Sequence, residues 1–256
     1  MGKRVSLIVL LLTARSLHAV AQEAPAPAVV PSAATAAPAS VAAVVKPRKY
    51  AVLSLVGDAF RNRGRTYAVN TPIFDRAALL AANSVLEKVQ PGGSYALLAP
   101  TAGLYAAQKT LIVDGKFQAP QELEAALAAQ NATHLLLITK LLANSSVDLG
   151  DNNFVKMGKL EGLGFYQAGG RIWNSETKEM SWGFMAPYAN FTVSLVDLSQ
   201  STVAAQKPVT ASQLVTSIGV KGVVDPWFVH TQEQNLDMLK VLFQNNVAAT
   251  VFKLIN

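Results

Sequence analysis

Arg61-Asn62-Arg63-Gly64-Arg65 gathers three guanidinium groups around one glycine. Each guanidinium is a planar fork of N–H donors that can hold a carboxylate or a phosphate through paired hydrogen bonds. Further along, Asp225-Pro226-Trp227 sets an indole beside a proline in a loop. An aromatic ring in that position can anchor a partner. Arg61, Arg63, Arg65 and Trp227 are therefore the expected contact residues, and the ligand that three arginines fit is anionic.

Other chemistry is thinly supplied. The chain has no cysteine, which removes disulfides, thiol nucleophiles, thiolate metal sites and thioether lipid anchors. His134 and His230 are the histidines that follow residue 21. Two histidines without cysteine or a clustered carboxylate motif make a poor metal site, so no metal is expected, and His134 reads as a hydrogen-bonded residue at a strand end. No Gly-x-Ser-x-Gly elbow or phosphate loop occurs. The glycines at 158, 162 and 164 have the wrong spacing for a dinucleotide fingerprint. They are expected instead at a β-bulge or a close strand approach, and no cofactor is expected. Paired carboxylates for glycoside hydrolysis are assembled in space, not in sequence. Asp148 with Asp151, and Glu161 with Glu176, keep that alternative open.

The N-terminus gives a route. Lys3 and Arg4 form a positive region, Val5 to Leu12 an apolar one, and Ala19-Val20-Ala21 a small-x-small cleavage site before Gln22. This is the pattern of a secretory leader over residues 1–21. Its apolar run is too short to span a bilayer comfortably, and no later segment is long and apolar enough to be a transmembrane helix. Loss of Lys3, Arg4 and Arg15 takes the 22 basic residues to 19 against 16 acidic ones, so the net charge falls from +6 to +3. The high isoelectric point is thus partly a property of the leader, and nucleic acid is not an expected partner. The expected compartment is periplasmic or extracellular.

Residues 22–46 are dominated by Ala, Pro, Val and Ser, with prolines at 25, 27, 31 and 38. They read as an extended linker. A single domain is expected over 47–256. Half of the chain is apolar and 15% is charged, enough for a sizeable core. Its centre is Leu135 to Ile138, apolar at every position, which predicts a strand covered on both faces.

The remaining elements follow from the same rules. Tyr50 to Val56 and Tyr95 to Ala99 are predicted strands. Asp58 to Asn70 reads as a loop, and a helix follows from Thr71-Pro72. A second helix is expected near Ala102 to Val113, in preference to a hairpin on Asp114-Gly115, and a third from Pro120. Asn144 to Asn153 reads as polar and turn-rich. Beyond it come Leu160 to Tyr166, Gln167 to Trp173, Met180 to Phe184, Asn190 to Asp197 and Val203 to Val209, an antiparallel block. Thr231 to Gln234 is a capping-box pattern. It opens a last helix whose stripe is Leu236, Leu239, Phe243, Val247, Val251 and Leu254. The fold class is mixed α/β, with helices packed on a largely antiparallel sheet.

The order of Tyr50–Val56, helix, Tyr95–Ala99, helix, Ala132-Thr-His-Leu-Leu-Leu-Ile-Thr-Lys140 and Val193-Ser-Leu-Val-Asp-Leu-Ser-Gln-Ser-Thr-Val-Ala-Ala-Gln206 resembles bacterial periplasmic domains of the curli-secretion and penicillin-binding-protein-activator kind. The similarity covers residues 47–256. The chain departs from that kind in lacking a lipoprotein cysteine and in carrying extra β-structure near 158–190. The resemblance implies an envelope location and transfers no functional residue. The expected function is a non-catalytic binding or assembly module of the cell envelope, contacting an envelope protein or an anionic envelope component. A secreted hydrolase with a carboxylate site and a small-ligand carrier with a closed apolar pocket are the alternatives.

Overall fold

The computed structural model describes residues 48–57, 59–62, 65–68, 73–150, 153–173, 178, 180–216 and 225–256, with the backbone alone for 65, 67, 68, 172 and 173. The stretches read as a leader and a linker, Thr71-Pro72 and Arg63 lie outside the described residues.

The fold is mixed α/β, and it is organised on two strands buried from both sides. These are β1 (Tyr50–Leu55) and β7 (His134–Lys140), parallel and in register from Tyr50 opposite His134 to Leu55 opposite Thr139. Side chains alternate across a strand, so Tyr50, Val52, Leu136 and Ile138 face one core while Ala51, Leu53, Leu135 and Leu137 face the other. On the first face lie α1 (Ile73–Val89) and α4 (Gln232–Ile255). On the second lie α2 (Ala102–Ala107) and α3 (Gln121–Ala129). Continuous apolar runs such as Leu135–Ile138 are the composition that two covered faces require.

β4 (Tyr95–Leu98) extends β1 in parallel, and β10 (Met180–Asp197) pairs antiparallel with β7. β11 (Thr202–Ser212) closes on β10. The chain returns through long strands. β9 (Phe154–Trp173) pairs antiparallel with β8 (Leu142–Asp148) over its first part and with β10 over its second.

Three ladders therefore meet at Leu141, Gly162 and Asn190. Leu141 N donates to Asn190 O at 3.1 Å, and Gly162 N to Leu141 O at 3.3 Å. The Asn190 side chain, fully buried, ties the junction by donating to Ser145 Oγ at 2.8 Å and to Leu160 O at 2.9 Å. Sequence expectation is corrected here. β8 falls in a stretch read as turns, because its polar Asn144, Ser145 and Ser146 serve the junction and an outer face.

The segment read as a loop before α1 holds a hairpin instead, β2 (Ala59–Asn62) and β3 (Arg65–Ala68), with β2 parallel to β9. The expected helix to Val113 stops at Ala107. The alternative hairpin forms as β5 (Ile112–Val113) and β6 (Lys116–Phe117), with Asp114 at φ 51° and Gly115 at φ 75°. Two consecutive left-handed residues are what a two-residue hairpin turn demands, and Asp-Gly supplies them at low cost.

The stripe on α4 docks as its spacing requires. Leu239, Phe243, Val247 and Val251 are fully buried, with Leu236 and Leu254 at the margins of the same core. At its start, Thr231 Oγ1 accepts from Gln234 N at 3.2 Å and Gln234 Oε1 accepts from Thr231 N at 2.8 Å. Thr231→Ala removes this reciprocal cap. It is expected to lower stability by about 1 kcal/mol, read as a shift in the urea midpoint with an unchanged slope.

Candidate functional site

Parallel strands β4, β1 and β7 end together, and the chain crosses from β4 to β7 on the opposite side of β1. In open α/β sheets such a reversal leaves a crevice outside the carboxyl ends of the strands. Here the first turn of α1 delivers Asp75 to the end of β1, where it is 1% exposed. Its Oδ1 accepts from Ser54 Oγ at 2.6 Å and Val56 N at 3.0 Å, and its Oδ2 from Gly57 N at 3.0 Å. Tyr105 on α2 donates its hydroxyl to Oδ2 as well. A buried carboxylate is tolerated only when its lone pairs are taken, and these donors take them. Asp75 is thus a clamp on the Val56–Gly57 turn.

Among the described residues near this clamp are Lys140 and the Lys109–Glu161 pair. The side chain of Lys140, at the end of β7, runs over Gly162. A methyl group on Gly162 would lie 3.3 Å from Lys140 Cδ, and one on Gly57 would lie 3.5 Å from Nζ and 3.7 Å from the Tyr105 ring. Lys140 is half-buried and makes no ion pair among the described residues. Lys109 reaches Glu161 at 3.6 Å across an exposed surface, a contact worth little by itself.

Arg61 is exposed on β2 and stands opposite Gly164 of β9. That point is two residue steps along β9 from Gly162, roughly 7 Å. A Cβ at Gly164 would sit 2.5 Å from Arg61 O and 2.6 Å from Tyr188 Oη. Only glycine lets β2 and the phenol meet β9 here. Burial pushes Tyr188 up to about 12, against the opposing field of Arg61 and with that of Glu161. It remains neutral at physiological pH.

The sequence-predicted residues separate accordingly. Arg61 lies on β2 opposite Gly164, two residues along β9 from the Gly162 that Lys140 covers. Arg63 lies outside the described residues, and of Arg65 only the backbone is described, on β3. Trp227 sits elsewhere, in a short 3-10 turn (Pro226–Phe228). Its half-buried ring packs edge-on to Phe165 at 5.1 Å. The indole expected in the open is largely a packing residue, and its neighbour Phe228 is the exposed one, at 70%. Asp75, Tyr105 and Lys140 escaped sequence reading because each looks ordinary in its own segment and only the crossover unites them.

For the hydrolase alternative, Asp151 and Glu176 lie outside the described residues. Asp148 Oδ1 accepts from Gly150 N at 2.8 Å in its own turn, and Glu161 faces Lys109. Among the described residues no group of three or more His, Asp or Glu is placed to hold a metal ion. A cleft of about 250 Å³ beside α3, lined by Phe117, Leu127 and Leu198 among others, opens to solvent. The carrier alternative expected a closed apolar pocket at the sheet–helix interface.

His134 lies opposite Asp197 at the other end of β7, with its Nδ1 2.9 Å from Thr133 Oγ1. Burial, and then the Arg48 guanidinium, hold its pKa below the ordinary 6.5, while Asp197 opposes them. Asp197 is itself held below the usual carboxylate value, chiefly by the Ser199 hydroxyl. A depressed histidine binds fewer protons folded than unfolded. Its contribution is complete above pH 6.5 and is lost as pH falls through the folded value. The urea midpoint of the native chain should therefore drop between pH 7.5 and 5.5, and His134→Gln should flatten that drop.

No protein-family model matches the chain, and no curated protein matches it. Among solved structures, the chain is similar to the PelC dodecamer of Paraburkholderia phytofirmans at 12% identity, over 80% of this chain and 86% of that one, with a TM-score of 0.30. A Xanthomonas campestris protein of the DUF330 family matches at 9% identity over 81% of each chain, with a TM-score of 0.32. A lipoprotein of Neisseria meningitidis matches at 12% identity over 79% of this chain and 99% of that one, with a TM-score of 0.24. At such scores these likenesses carry no ligand, partner or role to this chain, and they add nothing to the curli-secretion and penicillin-binding-protein-activator resemblance. No helix among the described residues is long and apolar enough to cross a membrane.

Proposed function

We propose that this chain is an exported protein of the bacterial cell envelope that acts as a non-catalytic binding or assembly module. Its contact face is the cationic rim at the carboxyl ends of β1 and β7, and the group it takes is an anionic envelope component, a carboxylate or a phosphate. One observation carries the reading: Lys140, half-buried against Gly57, Tyr105 and Gly162, makes no ion pair among the described residues, and the Asp75 carboxylate on the Val56–Gly57 turn has its lone pairs, though not its charge, taken by internal donors. Arg61 on β2 adds a second cation that can chelate the same group. The leader pattern over residues 1–21 and the Ala/Pro-rich stretch over 22–46 support export and reach.

The test is expression of the full chain in a bacterium with a two-membrane envelope, followed by fractionation and N-terminal sequencing. The expected product begins at Gln22, is absent from the cytosol, and is retained on washed envelopes at low ionic strength. An uncleaved chain in the cytosolic fraction contradicts the reading.

A further inference from the structure

The last helix is apolar on both sides. The stripe of α4 that meets the sheet is Leu239, Phe243, Val247 and Val251. At about 3.6 residues per turn, the side turned away from it is Met238, Val241, Asn245, Ala248 and Phe252. Val241 is 49% exposed and Phe252 54%, Asn245 is exposed, and Met238 and Ala248 are half-buried. The outer side of a surface helix normally carries charge. Here Val241 to Phe252 contains no charged residue. The charges of α4 stand towards its ends, Glu233, Asp237 and Lys240 at the start and Lys253 at the finish. A charge-free centre with Met and an aromatic ring, inside a charged rim, is the composition of a protein contact. Single exposed apolar residues are ordinary, but these positions recur at alternating steps of three and four, the spacing of a helix–helix seam. A lipid surface would want lysine and arginine along the polar flanks, whereas α4 balances two acids with two lysines.

The outer stripe also complements itself. Larger side chains, Met238 and Val241 at one end and Phe252 at the other, flank the small Asn245 and Ala248. Two copies of α4 crossing antiparallel over that small centre set Val241 of one against Phe252 of the other and Asn245 against Ala248, each contact made twice. The same crossing brings the acidic amino end, with Glu233 and Asp237, towards the basic carboxyl end, with Lys253, and opposes the two helix dipoles. A parallel pair would stack like charges. One polar Asn within such a seam fixes its register. α1 widens the surface: it packs beside α4 on the same core and turns Leu80 outward, 49% exposed. α4 has 24 residues and α1 has 17. At about 1.5 Å per residue and about 10 Å in width, the two helices offer roughly 600 Å² on each copy. A pair then buries about 1,200 Å², the lower end of what a specific dimer needs.

We propose that the outer face of the α1–α4 layer is the interface of a two-fold dimer of this chain, with α4 crossing its counterpart antiparallel at Asn245 and Ala248. The proposal stands independently of the cationic rim. Its test is sedimentation equilibrium of the full chain, as the host exports and processes it, from about 1 to about 100 μM. A monomer–dimer equilibrium is expected. Val241→Lys and Phe252→Glu, each alone, should weaken it at least tenfold. The doubly substituted chain should recover most of that loss, because Lys and Glu then meet twice across the two-fold axis. Circular dichroism establishes that the variants fold, and both positions are exposed. A chain that stays monomeric to about 100 μM overturns the interface, whether or not it floats with phosphatidylglycerol vesicles instead. So does a dimer that neither single substitution weakens. Weakened single variants without recovery in the double overturn the antiparallel crossing.

Discussion

Asp75→Ala is expected to lower the free energy of unfolding by about 3–5 kcal/mol, the range for stripping the partner from buried charged hydrogen bonds. Ser54 is fully buried and would lose its acceptor at 2.6 Å, and the Val56 and Gly57 N–H groups would lose theirs. Water cannot replace a side chain that is 1% exposed without opening the core. Asp75→Asn keeps one acceptor oxygen but sets an NH2 against donors, so it should recover only part of the loss. Urea midpoints measure both, and an unchanged slope confirms that the denatured state is the same. A D75A chain of near-native stability would mean that the carboxylate does not hold the turn, and that it is available for chemistry.

Phe243→Ala tests the packing of α4 on the same face. This ring is fully buried in α4 and meets Phe191 of β10 edge-on at 5.0 Å. Truncation removes its transfer energy and leaves a cavity between two rigid elements, a loss of about 3–5 kcal/mol. Differential scanning calorimetry should place the melting temperature well below that of the native chain. A loss under about 1 kcal/mol would mean that the helix does not seal the core, because mild effects belong to sites that are exposed or able to collapse.

These residues mark how far the sequence could be read. Leu135–Ile138 announced a doubly covered strand because burial on both faces leaves no position for a polar residue. The α4 stripe was legible for the same reason at helical spacing. β10 was read in pieces, since Gly183 and Pro187 look like breaks. In the fold Gln213 N donates to Pro187 O. The polar backbone of residue 187 thus faces the ragged end of β11, and the missing N–H costs little there. Of the glycines expected at a bulge or a close approach, Gly158 sits at the β8–β9 register shift and Gly164 meets Arg61 O and Tyr188, without ending β9. The site was hardest. Arg61 showed as one member of a charged run, while Asp75, Tyr105 and Lys140 are brought together by a crossover of the chain that no local pattern encodes.

The most direct measurement of the cationic contact face is retention of the mature chain on washed envelopes, compared with an Arg61→Glu/Lys140→Glu double variant at low and at about 0.5 M salt, where exposed charges are screened within a few ångströms. The account predicts at least a tenfold loss of retention in the variant at low salt, a similar loss for the native chain at high salt, and urea midpoints that stay close. Equal retention of both chains under both conditions would contradict it.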